Sequence, residues 1–217
     1  MRLRRAAVVL VALSVPVAAC SPPKAPDYQS ILTRSSTTSA APTPTEKPVP
    51  LSEYLQNIGV TGQQVAPGSL PDLNVSIPTP PDWSPFSSPK IAKETVMISH
   101  GGKYPTARLV VFKLHGDFDP AQVVKHGNDD AQLFENFKQL DASADNYNGF
   151  PSSMIQGSYD LDGQRLHSWN RIVIATGSPP ANQRYLVQLT ITSLANQAAA
   201  EATGIEAIIH GFVVAAK

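Results

Sequence analysis

The chain has 217 residues, 17 basic and 17 acidic side chains, a formal charge of zero and 42% apolar residues. A neutral balance supplies no strong field to gather nucleic acid, so no nucleic-acid partner is expected. A single cysteine excludes an internal disulfide framework and a cysteine zinc site, and 20 unevenly placed prolines point to one folded domain carrying a tail.

The chain opens on Arg2, Arg4 and Arg5, followed by an apolar run from Ala6 to Val15 and then Val17-Ala18-Ala19-Cys20. The run is too short to span a bilayer and reads as the core of a signal peptide, residues 1–19. Small residues just before a cysteine resemble the bacterial lipobox, which implies cleavage before Cys20 and a diacylglycerol on its sulfur, often with a further acyl chain such as palmitate on the new amine. Without the three leader arginines, 14 basic side chains face 17 acidic ones, so anchoring would rest on the acyl chains. Residues 20–50 then read as lipidated cysteine and tether. From Ser21 to Pro50, seven prolines and ten serines or threonines leave too little apolar surface to offset ordering, and the chain is expected to stay extended. Its threonines are candidate acceptors of O-linked sugars.

The folded domain is expected over residues 51–217. Ser52 is a candidate N-cap, with Leu51, Tyr54, Leu55 and Ile58 on one helical face before Gly59. Leu73 to Ile77, Thr95 to Ser99 and Thr106 to Leu114 read as strands, with Gly101-Gly102 as a turn. The third has apolar residues on both faces and should be covered on both sides. Asp119-Pro120 opens a helix that stops near Gly127. A second helix is expected after Asn128, with Ala131, Phe134, Phe137 and Leu140 on one face. Asn196 to His210 reads as a last helix, and Phe212 to Val214 as a closing strand.

The centre of the domain is the stretch from Phe150 to Leu194. Asp162-Gly163 predicts a two-residue type I′ hairpin, which sets Asp160 opposite Arg165, Ser158 opposite His167, Gln156 opposite Trp169 and Met154 opposite Arg171. A third strand alternates Tyr185, Val187, Leu189 and Ile191 against Gln188, Thr190 and Thr192. Strands joined mostly by hairpins, with helices between blocks, indicate α+β: an antiparallel sheet of about six strands.

The Pro-Thr-Pro-Pro-Asp-Trp segment at Pro78 to Trp83, Gly-Asp-x-Asp-Pro at Gly116 to Pro120, and Asn148-Gly149-Phe150-Pro151 leading into Gly157-Ser158-Tyr159 add to the lipobox and stalk. Together they resemble the LpqN/LpqT lipoproteins of mycobacteria, closest to the LpqT branch. The resemblance implies a PsbP-like fold, an α/β/α sandwich with helices on both sheet faces. It also implies a lipid-anchored protein on the extracytoplasmic face of the cell membrane, without enzymatic activity. Expected partners are a lipid or mycolate glycolipid, an envelope exporter or a host-cell receptor.

No catalytic constellation accompanies these motifs. His100-Gly101-Gly102 has the form of an oxyanion-hole motif, but no G-x-S-x-G elbow accompanies it. The five histidines show no H-x-x-x-H pair, Asp160 to Gly163 is too short for a calcium loop, and no phosphate loop or dinucleotide fingerprint occurs, so neither metal nor cofactor is expected. The alternative is an envelope hydrolase whose serine nucleophile is assembled from distant residues. For a ligand, the expected surface is a sheet face carrying His167, Trp169, Arg171, Gln156 and Gln188, an aromatic among donors. Tyr159, Ile155, Leu166, Ile172, Val187 and Leu189 would make the opposite, apolar face. The structural reading is that a helix covers Trp169 and makes it core.

Overall fold

The computed structural model describes residues 47–217. Cys20, the leader and the stalk as far as Glu46 lie outside the described residues.

Eight strands form one antiparallel sheet, and two more form a separate ribbon. Along the chain come α1 (Leu51–Asn57), β1 (Thr61–Val65), β2 (Leu73–Ser76), β3 (Trp83–Pro85), β4 (Val96–His100) and β5 (Thr106–His115). There follow α2 (Pro120–Val123), α3 (Asp129–Gln132), β6 (Lys138–Ser143), β7 (Ser152–Leu161), β8 (Gln164–Thr176), β9 (Arg184–Leu194), α4 (Ala202–His210) and β10 (Val213–Ala216). The large sheet runs β3-β4-β5-β9-β8-β7-β6, and β1 pairs with β5 beyond the end of β4. The ribbon is β2 with β10. The sheet includes β1, β3 and β6, which the sequence pattern did not mark as strands, while the expected strands β2 and β10 pair apart from it. Among the described residues no helix is long and apolar enough to cross a membrane.

The β7–β8 hairpin has the expected register at all four positions, with Asp162 and Gly163 at φ 51° and 72°. Asp119 caps α2 through its carboxylate, which accepts from the Ala121 amide at 2.9 Å. That helix tightens to a 3₁₀ turn over Val124–His126 and ends at Gly127. Gly59, at φ +75°, follows the end of α1.

Three local expectations change. The cap of α1 is Pro50 and not Ser52, and no side chain of its own bonds the first turn. The helix expected through Leu140 is a single turn, α3. Asn136 turns the chain at φ +51°, and residues 138–143 become the edge strand β6, with a bulge that leaves Leu140 exposed. Residues 195–201 are turns, so α4 begins at Ala202. Gly204 within α4 has a packing reason: a Cβ there would lie 2.5 Å from Nε1 of Trp83.

One face of the sheet is sealed. Leu109, Val111, Trp169, Val173, Val187, Leu189 and Ile191 lie beneath Ile205 and Ile208 of α4 and Leu73, Val75 and Val214 of the ribbon. On the other face α1 (Leu51, Leu55) and α2 (Val123) sit on Leu114, Ile172, Ile174 and Leu186, and Phe134 and Phe137 lie over the β7 side.

Candidate functional site

The register between β8 and β9 decides which residues share a surface. Trp169 lies opposite Ile191, Arg171 opposite Leu189 and Ile172 opposite Gln188. Gln188 therefore stands on the face of Ile172, and Val187 and Leu189 on the face of Trp169. The five residues expected to form one ligand surface do not. A one-residue difference in pairing moves a whole strand's side chains to the other face.

Trp169 is buried in the sealed core. Arg171 donates to the Ser152 hydroxyl at 3.0 Å and lies over the rings of Tyr147 and Trp169, 4.8 and 5.5 Å from their centroids. Burial lowers the Arg171 pKa, and Tyr147 and Asp145 oppose the shift. Gln156 and His167 meet at 2.9 Å, and burial lowers the His167 pKa, which favours the neutral ring that can accept from the Gln156 amide. Trp169 and Arg171 are packed within the covered face, where Arg171 Nε has no hydrogen-bond partner, and Gln156 and His167 bond one another.

The open part of the opposite face holds a groove that sequence reasoning touched only through Gln188. Its floor is polar and in register across three strands. Thr106, Thr192 and Ser168 make one row, and Arg108, Thr190 and Asn170 the next. Tyr159 rises from β7 beside them, and burial raises its pKa. Phe134 stacks on Tyr159 with centroids 4.2 Å apart, forming one wall, with Tyr104 and Met97 among the other lining residues. Phe137 closes over Gly157, where a Cβ would lie 2.4 Å from its ring. This cavity measures about 440 Å³.

A second cavity of about 500 Å³ continues toward α1 and is lined by Leu51, Leu55, Val60, Phe112, Leu114 and Leu186, with Gly62 at its edge. Gln188 and Asp130 line both cavities. Desolvation raises the Asp130 pKa, and a hydrogen bond from the Leu51 amide opposes the shift. Its neighbour Asp129 accepts from the Val49 amide at 3.4 Å and from His126 at 3.0 Å, and His126 stacks on Tyr54. His126 thus serves the structure that frames the groove. The chain's entry into the domain is tied to α3, at the joint between the polar and apolar cavities.

The lining holds two serines, Ser168 of the polar cavity and Ser52 of the apolar one, and no histidine. Among the described residues no cluster of three metal-ligating side chains occurs. Chemically, the arrangement offers a row of donors and hydroxyls that leads into an apolar slot.

Residues 47–215 match the family model described as "Probable lipoprotein LpqN". A lipoprotein LpqT of Mycobacterium leprae is 68% identical over 211 residues, which cover 97% of this chain and 95% of the relative. An LpqT of Mycobacterium tuberculosis is 64% identical, covering 97% of this chain and 93% of the relative. Among solved structures, LpqN of Mycobacterium tuberculosis, described as involved in cell envelope biogenesis, superposes with a TM-score of 0.65 at 18% identity. The superposition covers 78% of this chain and 99% of LpqN. Matched in sequence over the whole described domain and in fold to a solved member, the chain belongs to the LpqN/LpqT lipoprotein family.

Proposed function

We propose that this protein is a lipid-anchored envelope lipoprotein, held by Cys20 on the extracytoplasmic face of the membrane, that acts as a non-catalytic module binding an amphipathic lipid or glycolipid. The observation that carries the reading is the continuity of the two cavities. A polar floor and an apolar slot meet at Gln188 and Asp130, so one molecule can place a head on the first and a chain in the second. Together they fall in the size range typical of small-molecule sites. Ser168 has no imidazole beside it in the groove, which favours binding over nucleophilic chemistry.

Native mass spectrometry of the protein purified from its own envelope tests the reading. Wild type should carry a lipid. Gly62→Phe should carry none, because its ring fills the apolar slot. The first added carbon meets Phe112 and Leu114 at ordinary contact distances of 3.5–3.7 Å, so the fold should tolerate it. A lipid retained equally by Gly62→Phe would remove the groove as its site. Anchoring is tested separately: Cys20→Ala should leave an uncleaved precursor whose processing and detergent-phase partitioning are lost.

A further inference from the structure

We infer that the polar end of the groove selects an anionic head, a phosphate or carboxylate carried at the end of an acyl chain. This rests on the amphiphile reading and concerns which head the floor prefers. Oδ1 of Asn170 already accepts two bonds, from Gln188 Nε2 at 3.0 Å and from Thr190 Oγ1 at 2.8 Å. Its Nδ2, which can only donate, has no acceptor among the described residues and belongs to a residue that lines the cavity.

Arg108 stands in the same row, separated from Asn170 by Thr190 alone. Neighbouring strands are about 4.8 Å apart, so the two backbones lie roughly 10 Å from each other, a gap that the long arginine side chain can largely cover. Arg108 is exposed, and among the described residues it enters no ion pair and no side-chain hydrogen bond. Two groups that can only donate, the Arg108 guanidinium and the Asn170 amide nitrogen, therefore line the cavity without a protein acceptor, and the cation lacks a counter-charge. A neutral sugar can accept from these groups but brings no charge, whereas phosphate or carboxylate brings acceptors with charge.

The acidic group of the lining, Asp130, does not cancel this. It sits at the joint with the apolar slot and lines both cavities, while Arg108 lines the polar cavity alone.

The test uses the chain from residue 20 onward, carrying Cys20→Ser so that it stays in water, in calorimetric titrations with octyl phosphate, octyl glucoside and inorganic phosphate. Octyl phosphate should bind about tenfold more tightly than octyl glucoside, and inorganic phosphate far more weakly than either. Arg108→Gln should lower octyl phosphate affinity about tenfold and leave octyl glucoside almost unchanged. Equal binding of the two amphiphiles, or indifference to Arg108→Gln, overturns the anionic preference and leaves the groove reading standing. Binding of neither by wild type overturns the groove reading itself. Inorganic phosphate binding as tightly as octyl phosphate makes this a plain anion site and overturns the requirement for a chain.

Discussion

The two faces of the large sheet are made from the same strands and end in opposite conditions. On the Trp169 face, α4 and the β2–β10 ribbon cover one apolar row after another. On the Gln188 face, α1 and α2 cover the Ile172–Ile174 end, and the rows of Thr106 and Arg108 form the floor of a groove. The sealed face has the larger aromatics and even encloses an arginine, which bonds Ser152 and lies over Tyr147 and Trp169, although its Nε and the Ser193 hydroxyl find no partner. The open face has small hydroxyls and amides whose capacity is unspent. Aromatic content alone is therefore a poor guide to a binding surface. The pairing register and the reach of the covering helices decide it.

The largest effect should come from breaking the sealed side. Trp169→Ala removes a fully packed indole and should cost about 3–5 kcal/mol in urea unfolding. Ligand affinity per folded molecule should not change. A loss of affinity with little loss of stability would return Trp169 to the binding surface and invert the comparison.

Next is the boundary of the open side. At Gly157 a Cβ would meet Phe137 at 2.4 Å and the Lys138 carbonyl at 2.9 Å. The ring can move, but the carbonyl belongs to the backbone of β6. Gly157→Ala should cost about 1–3 kcal/mol and loosen β6, visible as faster amide exchange over residues 138–143. Unchanged exchange there would show that the edge strand does not depend on this contact.

A third test uses pH on the sealed side. The Tyr185 hydroxyl donates to the buried Asp72 carboxylate at 2.7 Å, and burial together with that carboxylate pushes its pKa up to about 12. An unfolded tyrosine ionises near pH 10. Between about pH 10 and 12 the unfolded chain has lost a proton that the folded chain keeps, so stability falls as pH rises through that window. The melting temperature should fall over that range more steeply in wild type than in Tyr185→Phe, which starts lower because Asp72 loses its partner. Parallel slopes would remove Tyr185 as the titrating group.

How much of this the sequence disclosed follows from where local rules apply. Asp162-Gly163 permits one kind of turn, and that turn set ten residue pairs between β7 and β8. Residues 177–183 impose no comparable turn, so the pairing of β9 with β8 was open, and placing Gln188 beside Trp169 set β9 one residue out of step. Phe134, Phe137 and Leu140 have helical spacing, but Phe137 is claimed by Gly157, a partner twenty residues away. The groove was illegible for a related reason. Thr106, Arg108, Ser168, Asn170 and Thr190 are unremarkable singly and become a floor only through strand order. Asn170 and Ser168 alternate with His167, Trp169 and Arg171, and the apolar residues about them drew the aromatic side to attention. A search for polar residues opposite one another on three adjacent strands could have found the floor, once β9 was correctly registered.

The smallest stability effect is expected within the floor itself. Thr190→Val keeps the side chain's shape on β9 and removes only its hydroxyl, which donates to Asn170 Oδ1. Asn170 retains the bond from Gln188, so no acceptor is left bare. Thr190 is half-buried at the groove, where water can replace part of what is lost. The cost should stay below about 1 kcal/mol, at the lower end for a single neutral hydrogen bond. Binding should respond more than stability, because Asn170 is then free to swing and its amide donors lose their fixed aim. Paired measurements of urea unfolding and octyl phosphate titration would show the two effects apart. If Thr190→Val instead destabilised the protein as strongly as Trp169→Ala, the polar rows would be structural ties, and the open face would differ from the sealed one only in the kind of bond that holds it.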